Sequence, residues 1–207
     1  MTATITTSSG KFTQVATMYV TGGSIPRATV QALLDSYHAQ TYQYLFRGVA
    51  MQESGYQQFG TVITGSPFLN PTYGIVATWP DQSPDGRSVG LVQVGPWDAT
   101  PSEAFDWMAN IKAGEDLFYG TTIPGQKMYY ANLYDRTFVS RCQGKLPHLT
   151  AAQLELVALS YYGHGANYIG RLGAYYVPNK ACNQWVTNFA NITNKTYVES
   201  VLQKRFQ

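Results

Sequence analysis

The chain has 207 residues and a formal net charge of +2, long enough for one large domain that buries about 70% of its unfolded surface. So small and evenly spread a charge excludes nucleic acid as the main partner, and no stretch approaches the roughly 18 apolar residues of a membrane-spanning helix. Charged residues are only 13% of the chain while aromatics reach 14%, with 16 Tyr; such an excess of flat amphipathic rings lines grooves for sugars or peptides as well as packing cores.

Residues 1–23 are rich in Thr, Ser and Gly and read as an extended lead-in. They lack the charged and then apolar pattern of a secretory leader. Ser24 is a candidate N-cap with Pro26 in the first turn, and Val30, Leu33, Leu34 and Tyr37 form one face of a packing helix. A second helix over residues 42–56 follows closely enough to be its antiparallel partner. In it Leu45, Val49 and Glu53 are spaced four apart and stack on one side, with Phe46 and Ala50 widening the stripe. Glu53 therefore points where the core should be. A carboxylate against apolar surface is disfavoured as an anion, so its pKa rises, which is how a general acid is made at neutral pH. The plainer explanation is a solvated glutamate at a helix end capped by Gly55.

From Gln57 to Arg87 the pattern dissolves into turn residues, FLNPTYG and WPDQSPDG among them. VITG and GIVATW are candidates for a small β-hairpin, and Phe68, Tyr73 and Trp79 set among turns suggest a substrate-facing flap. Asp81 and Asp85 lie here, and turn aspartates ordinarily hydrogen-bond their own backbone. Thr100, Pro101 and Glu103 open a helix that runs to Gly120. Residues 121–149 form a Tyr-rich connection with a candidate helix at KMYYANLYDR. Thr150 and Gln153 make a second capping box for TAAQLELVALSYY, which stops at the glycines of GHG. NKACNQWVTNFANI reads as a helix and TYVESVLQKRF as the last one, with Tyr197, Val198, Val201 and Leu202 buried. The result is one domain over 1–207, mainly α (α+β), with a small β element near residues 57–90.

Cys142 and Cys182 lack any metal-ligand spacing and leave open one disulfide or two free thiols. His38 and His148 are isolated and His164 sits between two glycines, so no metal or other cofactor is expected.

Three ordered segments carry a resemblance. The first is Glu53-Ser54 at a helix end. The second is Ser83-Pro84-Asp85-Gly86 leading into Gly90-Leu91-Val92-Gln93-Val94 and Pro96, continued by Asn110 and Gly114 in AFDWMANIKAG. The third is ALSYYGHG. Together they resemble soluble lytic transglycosylases and, more distantly, goose-type lysozymes, which implies a lysozyme-like helical domain acting on peptidoglycan glycan strands. The resemblance makes Glu53 the single catalytic acid and gives Tyr162 the task of hydrogen-bonding and orienting it. It assigns Ser83 and Gln93 to the N-acetylated sugars and the wall of the substrate cleft to the backbone from Leu91 to Val94, and counts Leu91, Val92 and Tyr161 among the substrate-binding residues. Two departures stand out: a longer gap between Glu53 and GLVQV, and Gly163 where the family has asparagine.

The chemistry so implied is a lytic transglycosylase cutting the MurNAc–GlcNAc β-1,4 bond and leaving 1,6-anhydro-muramyl ends. A hydrolytic muramidase pairing Glu53 with Asp85 or Asp81 is the alternative within enzymes. A non-catalytic glycan-binding module is the alternative outside them, although a pure binder gains nothing from a buried carboxylate. Action at the bacterial cell wall, in the periplasm or outside the cell, implies delivery by a phage or secretion route, or a longer parent protein. Protein partners are not specified by any motif.

Overall fold

The computed structural model describes residues 2–7, 10–15, 25–36, 41–60, 79–80, 88–95, 100–122, 126–163, 174–190 and 192–207. Two antiparallel strands, β1 (Thr2–Thr7) and β2 (Gly10–Val15), come first, followed by helices α1 (Arg27–Ser36) and α2 (Leu45–Glu53). A short ribbon of β3 (Phe59–Gly60) and β4 (Trp79–Pro80) precedes α3 (Pro101–Phe105), α4 (Trp107–Tyr119), α5 (Lys127–Arg141) and α6 (Ala151–Tyr162). A hairpin of β5 (Tyr176–Pro178) and β6 (Trp185–Thr187) leads into α7 (Ile192–Lys204). The fold is mainly α with small antiparallel β elements, the class expected from the sequence. No helix among the described residues is long and apolar enough to cross a membrane.

The core follows the apolar stripes. Val30 and Leu34 of α1, and Leu45, Phe46, Val49 and Ala50 of α2, are buried with Ile111, Phe118, Leu159, Val198 and Val201. Tyr37, expected on the α1 face, lies outside the described residues. Phe46 meets Phe118 and Tyr162 edge-on at 5.9 and 6.4 Å, the geometry that ring quadrupoles favour.

Both capping boxes form. Thr100 accepts from the Glu103 amide and Glu103 returns the bond, and Thr150 and Gln153 do the same at α6. The helix expected to run unbroken to Gly120 is instead two. The Asp106 amide closes α3 on the Ser102 carbonyl at 2.7 Å, while its carboxylate caps α4 by accepting from the Met108 amide at 2.9 Å. An aspartate that can start a helix ends the one before it.

The expected helix over NKACNQWVTNFANI is a correction: that stretch contains the turn and second strand of the β5–β6 hairpin. Short polar side chains compete there with helical backbone bonds. Asn179 accepts from the Asn183 amide at 3.1 Å, Asn188 donates to the Ala174 carbonyl at 3.1 Å, and Cys182 has a φ of +57°. Trp185 anchors the hairpin by donating its indole N–H to the Pro147 carbonyl at 2.7 Å.

The expected β element near residues 57–90 is present as the β3–β4 ribbon, Phe59 opposite Pro80 and Gly60 opposite Trp79. VITG and most of GIVATW, with Phe68 and Tyr73 of the expected flap, lie outside the described residues. Within the expected lead-in, the described residues form β1 and β2, with Thr2 opposite Val15 and Thr7 opposite Gly10.

Cys142, just past α5, and Cys182, in the hairpin turn, are joined in a disulfide with a sequence separation of 40. Closing a loop of that length removes unfolded-chain entropy equivalent to about 4 kcal/mol. Thiol titration of the denatured, unreduced protein is expected to find no reactive thiol. Replacing both cysteines by serine should lower Tm by roughly 10 °C, and two reactive thiols in the starting protein would refute the bridge.

Candidate active site

The site is built on the close packing of α2 against α7. A Cβ at Gly48 would run into the Val201 carbonyl oxygen, so at this point the α2 backbone meets α7 directly. Only α2 lacks a side chain at that crossing, where the Val201 side chain also approaches. The two helices run antiparallel: Tyr44 lies beside Phe206, Gly48 beside Val201, and Gln52 accepts from Ser200 at 2.6 Å and from Lys204 at 2.9 Å. At the end of α2, Glu53 is half-buried and accepts a hydrogen bond from the Tyr197 hydroxyl.

Three influences act on the Glu53 carboxyl. Burial raises its pKa; the Tyr197 hydrogen bond and the positive charge of Lys204 lower it; burial prevails, and the pKa lies above the ordinary carboxylate value. Tyr197 is itself pushed well above the usual tyrosine range by burial and by the neighbouring Glu53 charge. It therefore keeps its proton and acts as a donor at any working pH.

Joined to Ser54 is the loop of residues 89–94, whose ends are closed by backbone bonds and whose tip is held by side chains. Val89 and Val94 exchange two backbone bonds of 2.8 and 3.0 Å. The Leu91 amide donates to Gln58 Oε1 at 3.0 Å, and its carbonyl accepts from Ser54 Oγ at 2.7 Å. The Val92 amide donates to Asn110 Oδ1 at 3.0 Å, and its carbonyl accepts from the Tyr162 hydroxyl at 2.6 Å. Asn110 also donates to the Val89 and Glu103 carbonyls, both at 3.0 Å. Gly90, at φ +80°, has the Asn110 amide where a Cβ would stand. Satisfying these buried peptide groups removes a penalty that would otherwise loosen the loop.

The residues expected at the site divide unevenly. Glu53 is where its spacing placed it. Tyr162 is a correction: its hydroxyl donates to Val92, and the tyrosine that hydrogen-bonds Glu53 is Tyr197. Leu91 and Val92 have fully buried side chains, and their peptide groups are engaged by Gln58, Ser54, Asn110 and Tyr162. Tyr161, only 1% exposed with its ring edge-on to Tyr134, is likewise core and cannot touch a substrate. Gln93 is buried and its amide donates to the Gly90 carbonyl at 2.9 Å, a loop-shaping bond. Ser83, Asp81, Asp85, His38 and His164 lie outside the described residues. His148, solitary in the sequence, meets Asp135 at 2.6 Å, whose other oxygen accepts from the Leu149 amide.

Tyr197 and Gln58 are the functional residues that sequence reasoning missed. Tyr197 shares a helical face with Val201, four residues on, and was readable only as a core residue, because its polar end acquires meaning from the helix opposite. Gly163 completes the enclosure: a Cβ there would lie 2.7 Å from the Tyr197 ring. No protein family, no curated protein and no solved structure matches the chain.

Two tyrosine variants separate the roles. Tyr197→Phe removes a bond that favours the carboxylate, so the Glu53 carboxyl, followed by carbon NMR, should titrate at higher pH than in the starting protein. Tyr162→Phe strands the buried Val92 carbonyl, costing about 1–3 kcal/mol, and should leave the Glu53 titration nearly in place. Equal titration curves for Tyr197→Phe and the unaltered protein would break the assignment of Tyr197.

Proposed function

We propose that the protein is a lytic transglycosylase that cleaves the MurNAc–GlcNAc β-1,4 bond of peptidoglycan, with Glu53 serving first as acid and then as base. The observation that carries this reading is a half-buried carboxyl whose proton affinity is raised by burial and whose orientation is held by Tyr197. No other carboxylate among the described residues perturbs it. The ordered motifs resembling that family supply the substrate class.

In this reaction Glu53 gives its proton to the glycosidic oxygen as the bond from that oxygen to the anomeric carbon breaks. The departing chain leaves with a hydroxyl. The neighbouring N-acetyl oxygen stabilises the positive charge at the anomeric carbon, as in substrate-assisted glycosidases. The Glu53 carboxylate then takes the proton of the muramyl 6-hydroxyl while that oxygen bonds to the anomeric carbon and closes the anhydro ring. The acid is regenerated and no water is consumed. Tyr197 holds the carboxyl in one orientation in both protonation states, and Lys204 favours the anionic interval between the two transfers.

Mass spectrometry of products from purified sacculi tests the reaction type. Anhydro-muramyl ends are expected; reducing ends would assign a hydrolase in which Asp81 or Asp85 activates water. Glu53→Gln keeps shape and accepts from Tyr197 but has no proton to give, so turnover should fall at least about a hundredfold.

Stability provides an independent sign. Because folding raises the Glu53 pKa, its contribution is fully present below the unfolded value and is lost as pH rises through the folded one. Glu53→Gln should thus melt like the starting protein at low pH and above it at pH 7. Retained activity overturns the catalytic role, and a variant that unfolds would make Glu53 a structural group.

A further inference from the structure

The opposite end of the α2–α7 pair carries a second cluster, which the reaction at Glu53 does not use. The Arg47 guanidinium lies 4.1 Å from the centre of the Tyr44 ring, Tyr44 meets Phe206 edge-on at 6.1 Å, and the Arg205 guanidinium lies over both Phe206, at 4.7 Å, and Tyr42, at 5.5 Å. Arg47 is paired with Asp35, which compensates its charge. Arg205 has no such partner: among the described residues no oxygen accepts a hydrogen bond from its side chain, and its Nε is buried without one. Phe206, beside it, is 65% exposed.

Each part has a chemical meaning. A guanidinium stacked on two rings keeps its plane fixed, and its unused N–H groups form a fork that matches a carboxylate. An exposed phenyl face next to a half-buried phenol suits a ligand that is apolar on one side and hydroxylated at its edge, as a pyranose ring is. A membrane surface is a poorer fit, since lipid binding draws on a wider apolar face and several basic groups, whereas this cluster has one exposed apolar side chain and one uncompensated cation.

The geometry points to a second, non-catalytic site for a carboxylate-bearing N-acetylated sugar, with the carboxylate on Arg205 and the sugar ring on Phe206 and Tyr44. The nine residues of α2, Leu45–Glu53, span ~13 Å between Tyr44 and the acid, so the site is separate from the acid. Muramic acid, the carboxylated sugar of peptidoglycan, is the ligand chosen, and that choice rests on the glycan-cleaving reading; the anion-receiving geometry does not. A glycan strand held here raises the local concentration of its neighbouring bonds at Glu53.

The experiment is an NMR titration of the full chain carrying Glu53→Gln with N-acetylmuramic acid, using N-acetylglucosamine as the neutral control. Saturable shifts at Tyr44, Arg205 and Phe206 are expected with the acid, and at least about tenfold weaker binding with the control, in keeping with the loss of a charge-assisted hydrogen bond. Arg205→Ala should weaken the acid by a similar factor. Phe206→Ala, which alters an exposed side chain and leaves the fold intact, should weaken it also. Binding that survives both substitutions overturns the site. Inorganic phosphate binding as well as the sugar, with Phe206→Ala indifferent, overturns the sugar assignment in favour of a bare anion site. Co-sedimentation with phosphatidylglycerol vesicles, without sugar binding, overturns it in favour of a lipid surface.

Digestion of sacculi by the unaltered protein separates this proposal from the catalytic one. Sugar binding lost in Arg205→Ala, with no anhydro ends in the digest, supports the site and removes the transglycosylase reading. Anhydro ends with sugar binding indifferent to Arg205→Ala do the reverse.

Discussion

The contact on which the site depends is the one between Gly48 and the Val201 backbone. A helix pair normally stands 8–10 Å apart because side chains intervene, roughly speaking; removing the side chain at the crossing lets α2 and α7 close on one another. Everything that distinguishes Glu53 from an ordinary helix-end glutamate follows from that closeness. Tyr197 reaches the carboxyl, Lys204 and Ser200 converge on Gln52, and water is displaced from one side of the acid. The balance is tuned and not extreme: burial raises the proton affinity while a hydrogen bond and a nearby ammonium pull it back. A carboxyl buried with no such counterweights would hold its proton too tightly to give it away.

The loop of residues 89–94 solves a different problem. A tight turn buried against a core has no regular ladder to satisfy its peptide groups, and each orphan would cost about 1–3 kcal/mol. Gln58, Asn110, Ser54 and Tyr162 supply the missing partners. Because Ser54 directly follows Glu53, its bond to the Leu91 carbonyl ties the end of α2 to the loop. The end of α2 that carries Glu53 and the loop therefore belong to one hydrogen-bonded unit.

What could be read in the sequence was what periodicity and capping encode. The 3.6-residue stripes of α1, α2 and α7 were legible, as were both capping boxes and the exceptional direction of Glu53, because these are properties of single helices. What could not be read was which helix faces which. Tyr162 and Tyr197 are both half-buried tyrosines on helices, and only tertiary packing decides which hydroxyl meets Glu53 and which meets Val92. Tyr161 fails for a related reason, since a motif position says nothing of the side to which a side chain turns. The hairpin mistaken for a helix is decided by Trp185 reaching Pro147 and by the Cys142–Cys182 link, long-range constraints that outweigh local propensity.

Gly163 takes on a different significance beside Tyr197. Its backbone has an ordinary helical φ of −70°, a conformation open to every residue type, so conformational freedom does not explain the glycine. The occupied volume does: the Tyr197 ring stands where the first carbon of a side chain would be. The two positions are therefore epistatic. The effect of any substitution at 163 depends on what occupies 197, since a side chain there must push the ring aside and move the hydroxyl that meets Glu53.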